Sequence, residues 1–167
     1  SQRRRRLDQA LKQQVVEITE VGHGGSVPEL KVTNKGEKMV LLLEGEQLIG
    51  AKQNRTLNAS ILVAAPSDLI IPVSCTEAGR WSSVSSRFRA SKRYSHPELR
   101  RRKSRSVGES LRHGRGHSSD QRRVWDEVGR AAGSLGADSP TSDYEAVHER
   151  VEARVREYAD QIELPEN

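Results

Sequence analysis

Two short stretches of this chain carry more long polar side chains than a hydrophobic core requires. The first covers residues 44–58, EGEQLIGAKQNRTLN, and the second covers residues 74–81, SCTEAGRW. Carboxylates in such stretches can act as general acids or bases, or bind a divalent metal through oxygen atoms. Lys and Arg can bind phosphate oxygens, and an indole ring can stack on a nucleobase. These residue types therefore fit a site for an anionic ligand of nucleotide type.

Each of these polar side chains has a candidate role. The candidate catalytic carboxylates are Glu46, Glu77 and Glu44. The candidate ligand-binding residues are Lys52, Gln53, Asn54, Arg55, Asn58, Cys75, Arg80 and Trp81. A structural role is the alternative for each, since the carboxylates could form exposed ion pairs worth about 0–1 kcal/mol and the thiol could be buried and inert. The two stretches form one cleft only if they meet in space.

Other chemistries have less support in the sequence. The patterns GxGxxG and GxxxxGK[ST] are absent, so neither dinucleotide nor P-loop binding is predicted. His113 and His117 have helical spacing, but the glycines between them argue against a helix, and we predict no metal site. The sequence leaves any cofactor open. The basic run at 100–105, RRRKSR, lacks the interleaved aromatic residues that stack on bases.

The elements that must position the two stretches are short strands. Apolar patterning and turn residues predict five of them, over residues 14–21, 29–33, 39–43, 59–64 and 69–75. Such close spacing predicts a mainly antiparallel sheet, a small sandwich or an open barrel. Both polar stretches then follow the end of a core strand, where a rigid sheet can hold functional side chains in place.

The second half of the chain divides by charge. Residues 81–123 carry 13 Lys and Arg against 3 Asp and Glu, and residues 124–167 carry 4 against 11. We expect the two segments to neutralise each other in part. By composition, 82–118 reads as a basic loop. Residues 119–135 and 142–164 read as amphipathic helices with capping boxes at Ser118–Gln121 and Ser142–Glu145, the second with an apolar stripe from Tyr144 to Ile162.

The predicted architecture is a single α+β domain over 1–167. It comprises a basic tail at 1–6, a β-rich part with both polar stretches at 7–81, the basic loop at 82–118 and a helical pair at 119–164. Cys75 is the only cysteine, which suits a reducing cytoplasm, and no apolar run is long enough to cross a membrane. The first residue is serine, which suggests a fragment or a processed chain.

The two polar stretches, together with GGSVPELKV, DQRRVW and SPTSDYEA, resemble the family of domains named for association with ADP-ribosylglycohydrolases and rhodanese/phosphatase proteins. The resemblance runs from about Leu7 to Tyr158. It implies a genomic association with enzymes of NAD and ADP-ribose metabolism, but it does not imply a particular reaction. The family motifs carry over onto the candidate residues above and Gly79, whereas the basic insertion around 100–117 matches no family motif.

Three functional hypotheses follow. The first is a cytoplasmic domain that binds, and in the catalytic version hydrolyses or transfers, an anionic nucleotide-like ligand of NAD or ADP-ribose metabolism. Glu46 or Glu77 would then be the acid or base, with Lys52, Arg55 and Arg80 holding the anion. The second is a non-catalytic interaction or assembly module whose basic segment, residues 87–115, binds nucleic acid or an acidic partner. The third is that the basic segment folds onto the acidic second helix and that the protein self-associates as a homo-oligomer.

Overall fold

The computed structural model describes residues 5–137 and 139–160. In chain order its elements are β1 Arg5–Arg6, α1 Leu7–Lys12, β2 Val16–Glu20, β3 Glu29–Asn34, β4 Val40–Leu42, β5 Glu46–Gly50, β6 Arg55–Leu57, β7 Ile61–Val63, β8 Ser67–Cys75, β9 Phe88–Tyr94, α2 Pro97–Arg112, α3 Gln121–Leu135 and α4 Tyr144–Ala159. The α+β class with a mainly antiparallel sheet in the N-terminal part is confirmed. No helix in the described ranges has the length and apolarity of a membrane span.

The main sheet has six strands in the order β2-β3-β8-β6-β5-β9, and all of its pairings are antiparallel. It is curled around one apolar core. Alternate residues of β2 and β3 point inward, so Ile18, Leu30 and Val32 are fully buried. Helix α1 closes the core with Leu7 and Ala10. A smaller sheet, in the order β1-β4-β7, packs beside it.

The structure places two strands where the sequence analysis expected a loop. β5 and β6 form an antiparallel hairpin with Gln47 opposite Thr56 and Leu48 opposite Arg55. Every residue of β6 is buried, including Arg55. The apolar-alternation criterion missed both strands because their buried positions hold polar side chains, which find hydrogen-bond partners inside the protein.

The basic segment is also more ordered than predicted. The prediction of a loop over 82–118 is wrong for most of its length, since β9 and α2 lie within it. Pro97 begins α2 and the His96 ring accepts a hydrogen bond from the Glu98 backbone N–H. The helix buries one narrow stripe that mixes apolar and polar residues, namely Leu99, Lys103, Ser106, Val107 and Ser110. Its low hydrophobicity concealed that stripe.

The two C-terminal helices match the prediction, with α2 as a third helix before them. Asp120 caps α3 by accepting from two backbone N–H groups, and Gly136 ends it in the left-handed conformation. Asp143 caps α4. The caps are therefore aspartates next to the serines of the predicted capping boxes. Tyr144 and Val147 pack with α2 and α3 in a second core, whereas Val151, Val155 and Tyr158 are exposed. Ile162, the last residue of the predicted stripe, lies outside the described residues.

The expected neutralisation between the basic and acidic segments is present. Arg93 on β9 forms ion pairs with Glu145 and Glu152 on α4, at 2.6 and 2.7 Å. Arg102 on α2 pairs with Glu127 on α3 at 3.1 Å. The first of these joins the edge of the main sheet to the last helix. Charge therefore helps to place the helices against the sheet.

Candidate functional site

The two polar stretches lie side by side in the structure. β6, from the first stretch, pairs with β8, which leads into the second, and Arg55 stands opposite Cys75. Beyond the paired strands, the Thr76 N–H donates to the Asn54 carbonyl at 3.0 Å. The Gln53 side-chain amide donates to the Glu77 carbonyl at 2.8 Å. The stretches therefore meet and form one continuous polar region.

One group of side chains in this region, the Glu77 cluster, consists of Asn54, Glu77, Arg80, Thr141 and Asp143. Arg80 donates to both carboxylate oxygens of Glu77, through Nε at 2.8 Å and Nη2 at 2.6 Å. The carboxylate also accepts from the Asn54 backbone N–H at 3.1 Å and from the Thr141 hydroxyl at 2.8 Å. The Asn54 side-chain amide donates to Asp143 at 3.0 Å. The cluster thus joins both stretches to the start of α4.

The carboxylate of Glu77 accepts hydrogen bonds only from members of this cluster among the described residues. Burial alone would raise the pKa of Glu77, but the hydrogen bonds from Arg80, Thr141 and the Asn54 backbone outweigh it and hold the pKa below its ordinary value. A buried carboxylate with four donors stays ionised at neutral pH and has little tendency to take up a proton. Glu77 therefore suits a structural role better than that of an acid or base.

Gly79 explains how the second stretch approaches the start of α4 so closely. Its N–H donates to the Thr141 carbonyl at 2.8 Å. A Cβ at position 79 would lie 2.9 Å from the Thr141 Cα, which is closer than real Cβ atoms come to backbone. A larger residue there would push the loop away from Thr141 and open the Glu77 cluster.

A second group, the Arg55 cluster, consists of Glu20, Lys52, Arg55 and Trp81. The guanidinium of Arg55 is fully buried, and Nη1 donates to Gln53 at 3.2 Å. Nη2 lies 3.8 Å from the nearest Glu20 oxygen, beyond hydrogen-bond distance. Within the described ranges, neither Nε nor Nη2 of Arg55 has a hydrogen-bond partner, and nor does Glu20 Oε2.

Trp81 covers this guanidinium. The Arg55 Cζ lies 5.8 Å from the indole centroid, and the Lys52 Nζ lies 5.2 Å from it, so both cations contact the ring. The indole itself is 48% exposed, which leaves part of it open to solvent. Lys52 also donates to the Gly24 carbonyl at 2.6 Å in the glycine-rich β2–β3 connection. The cluster therefore brings two cations and the Glu20 carboxylate to one half-exposed aromatic ring.

The Arg55 cluster is electrostatically costly. Burial lowers the pKa of Arg55 from its ordinary value, which means that the surroundings do not fully compensate the charge. The effective cost of burying an ion in a real protein is several kcal/mol unless partners replace water. The Glu77 cluster has such partners, and the Arg55 cluster has them only in part.

Cys75 shows the features of an inert thiol. The side chain is fully buried, and Sγ donates to the Glu77 carbonyl at 3.0 Å. Burial raises the pKa of the Cys75 thiol, so little thiolate exists at neutral pH. Its backbone pairs with Gln121, whose side-chain amide donates to the Cys75 carbonyl at 2.7 Å and accepts from the Cys75 N–H at 2.8 Å. The residue contributes packing and a docking point for α3.

The remaining candidates lie elsewhere. Glu44 pairs with Arg100 and Lys103 of α2, each at 2.8 Å. Asn58 accepts from Ser74 at 2.6 Å and donates to the His117 carbonyl at 3.1 Å, which holds the α2–α3 turn. Glu46 lies in a separate groove beside β9, where burial raises its pKa. The three proposed catalytic carboxylates therefore do not share a site.

Three contributors were missed from the sequence. Thr141 and Asp143 belong to SPTSDYEA, which was interpreted only as a helix start and as a family motif; the density of capping residues there was the available signal. Glu20 carried no signal beyond its charge. In the described residues, no group of three or more His, Cys, Asp or Glu side chains is arranged to hold a metal ion.

Comparison with known proteins gives one assignment. No curated protein and no solved structure gives a significant match. A family model matches residues 1–167, over the whole length that contains both polar stretches and SPTSDYEA. The chain belongs to the ARPP-1 family, the ARG and Rhodanese-Phosphatase-superfamily-associated Protein domain.

Proposed function

We propose that this domain binds an anionic, nucleotide-like ligand at the Arg55 cluster. The observation that carries the proposal is the fully buried guanidinium of Arg55 with two unpartnered N–H donors beneath the Trp81 ring. Unpaired buried donors cost roughly 1–3 kcal/mol each or more when charged, so their retention calls for a compensating role. Binding an anionic ligand would be such a role.

The ligand chemistry follows from the side chains of the cluster. The Nε and Nη2 atoms of Arg55 can donate to a phosphate or carboxylate, and Lys52 adds a second positive charge beside the guanidinium, which lies 3.8 Å from the Glu20 carboxylate. The exposed face of Trp81 offers a surface on which a base can stack. Phosphorylated nucleosides of the ADP-ribose and NAD type combine these features. We place this binding in the cytoplasm, where Cys75 would remain reduced.

Access to Arg55 depends on Trp81, since the guanidinium is covered while the indole is half exposed. In this proposal the indole moves aside when the ligand enters and then packs against it. Glu77 has four donors and Glu44 two cationic partners, and Glu46 lies in a different groove, which supports binding over hydrolysis or group transfer. The domain would then recognise the ligand without converting it.

The experiment is isothermal titration calorimetry with ADP-ribose, NAD, AMP and inorganic phosphate. The wild-type protein should bind the nucleotides more tightly than phosphate because only they can stack on Trp81. Arg55→Met and Trp81→Ala should each weaken nucleotide binding at least tenfold. Arg154→Met, an exposed arginine of α4 without an ion pair in the described residues, is the control and should bind like wild type. Failure of all four ligands to bind, or equal binding by Arg55→Met, would contradict the proposal.

A second candidate function rests on basic residues of α2, of the turn that follows it and of the first turn of α3. Four exposed arginines there form no ion pair with any described carboxylate, namely Arg105, Arg112, Arg115 and Arg122. We infer that this surface could bind nucleic acid. Phosphate binding would give a log–log salt slope of about −0.9 for each phosphate neutralised on duplex DNA. Filter binding with wild type and Arg112→Glu/Arg115→Glu would measure that slope, and a slope near zero would exclude this function.

A further inference from the structure

Glu20, the last residue of β2, brings a carboxylate to the Arg55 cluster. Its side chain is 12% exposed, so the carboxylate lies mostly inside the protein. Oε1 accepts a hydrogen bond from the Lys52 backbone N–H at 3.2 Å. Oε2 is buried and has no hydrogen-bond partner among the described residues. The cluster therefore contains an unpartnered acceptor as well as the unpartnered donors of Arg55.

A role as the counter-charge of Arg55 leaves part of this arrangement unexplained. The ion pair between Glu20 Oε1 and Arg55 Nη2 measures 3.8 Å, whereas Arg80 donates to Glu77 at 2.6 Å in the neighbouring cluster. At 3.8 Å the charges attract each other, but no direct hydrogen bond forms between them. A buried acceptor without a donor is costly, as are the unpaired donors beside it. A ligand that pairs with both would remove the two costs together.

The glycine-rich connection between β2 and β3, residues 21–28, lies against the same carboxylate. Gly25 has a φ of +75°, and a Cβ built at this position would lie 3.1 Å from Glu20 Oε2 and 3.3 Å from Lys52 Cδ. Lys52 in turn donates through Nζ to the Gly24 carbonyl at 2.6 Å, which holds the connection in place. The backbone at Gly25 therefore lies close to the unpartnered oxygen, where a larger residue would press on it.

A ligand that suits these atoms must offer both an anionic group and a hydrogen-bond donor. Arg55 can donate to a phosphate, whereas the Glu20 carboxylate repels a phosphate and can only accept hydrogen bonds. A sugar hydroxyl is a neutral donor of the required kind. In a nucleoside 5′-phosphate the ribose joins the phosphate to the base, so its hydroxyls stay within reach of a group beside Arg55. A ribonucleotide therefore complements the cluster better than a bare phosphate does.

We propose that Glu20 is a specificity-determining residue that accepts a hydrogen bond from the 2′- or 3′-hydroxyl of a 5′-ribonucleotide. The assignment rests on the proposed function, since it places the phosphate at Arg55 and the base on Trp81. A nucleotide without these hydroxyls leaves Oε2 unpartnered and meets the negative charge of Glu20 without compensation. The ligand class is thereby narrowed from nucleotide-like anions to ribonucleotides.

The experiment is isothermal titration calorimetry of the intact chain with AMP and 2′,3′-dideoxy-AMP. The wild-type protein should bind AMP at least tenfold more tightly than the dideoxy nucleotide. In Glu20→Gln the Lys52 N–H holds the amide oxygen at the Oε1 position, so an NH2 group replaces the acceptor at Oε2, and the ratio should fall below threefold. Glu20→Ala removes every polar atom of the side chain and should give the same ratio. The control is Glu157→Gln, at an exposed carboxylate of α4 without an ion pair in the described residues, and it should keep the wild-type ratio.

Binding of the dideoxy nucleotide separates specificity from a structural role. Without the repulsion of the carboxylate, both Glu20 variants should bind 2′,3′-dideoxy-AMP at least as tightly as wild type does. A preference for AMP of threefold or more in either variant, or an equal loss of both nucleotides, would overturn the assignment. So would a wild-type protein that does not prefer AMP or does not bind it. In each of these cases, nucleotide binding that Arg55→Met weakens would leave the proposed function standing, whereas no binding of any nucleotide would overturn both.

Discussion

The Glu77 cluster and the Arg55 cluster come from the same two stretches of sequence and lie next to each other, yet they differ in completeness. Each carboxylate oxygen of Glu77 accepts two hydrogen bonds, and the cluster joins the sheet to α4. The Arg55 guanidinium is fully buried, and its Nε and Nη2 atoms have no hydrogen-bond partner among the described residues. If the proposed function holds, one dense polar motif combines a structural half, the Glu77 cluster, with a ligand-binding half, the Arg55 cluster. Counting the partners of each atom separates the two.

The largest expected effect is on folding stability in the Glu77 cluster. Glu77→Gln should lower the free energy of unfolding by about 3 kcal/mol, because it leaves Arg80 largely buried without its counter-charge. Urea denaturation measures this. The control is Glu109→Gln, which removes a half-exposed ion pair with Arg123 and should cost less than about 1 kcal/mol. A cost for Glu77→Gln as small as that of the control would show that the cluster is not structural.

A smaller effect is expected in the pH dependence of the stability difference between wild type and Glu77→Gln. The pKa of Glu77 is lower in the folded protein than its ordinary value of 4.5, so its contribution is complete above pH 4.5 and is lost as the pH falls through the folded pKa. The stability gap between wild type and Glu77→Gln should therefore be constant from pH 7 to 5 and narrow on further acidification. Urea denaturation at successive pH values measures it. A gap that widens in acid would contradict the assignment.

The smallest expected effect on stability is in the Arg55 cluster. Arg55→Met should change the free energy of unfolding by less than about 1 kcal/mol, because removal of an incompletely paired buried charge offsets the loss of its long, 3.8 Å ion pair with Glu20. Lys103→Met is the matched control. Lys103 is equally buried but pairs with Glu44 and donates to the Leu57 carbonyl, so its loss should cost more than about 2 kcal/mol. Equal costs would remove the distinction between the two clusters.

The fold was predictable where apolar periodicity was intact. The strands β2, β3, β4, β7 and β8 and the helices α3 and α4 fall within or close to the predicted ranges. β5 and β6 were missed because they bury polar residues, and periodicity arguments assume that buried means apolar. α2 was missed for a related reason. Lys103 occupies a core position that is tolerable because the fold brings the Glu44 carboxylate and the Leu57 carbonyl to its ammonium group.

The sequence predicted which residues belong to the candidate site better than it predicted the role of each residue. It identified Arg55, Arg80, Glu77 and Trp81 as members. It could not show that Arg80 forms its ion pair with Glu77, or that two nitrogen atoms of Arg55 lack hydrogen-bond partners among the described residues. Which atoms pair depends on distances between strands, and these are not encoded in a local pattern. The role of Asp143 depended on a contact with Asn54, 89 residues earlier in the chain, which no local pattern encodes.

That contact between Asn54 and Asp143 has a consequence for folding kinetics. The chain must close a loop of 89 residues before the amide and the carboxylate can meet, and long loops are expensive in entropy until other contacts repay them. The Glu77 cluster should therefore assemble late, after the hairpin β5–β6 and the local helices have formed. Until it does, the buried carboxylate lacks its Thr141 hydrogen bond. The sheet and the helical part are thus expected to reach their native state as one cooperative unit.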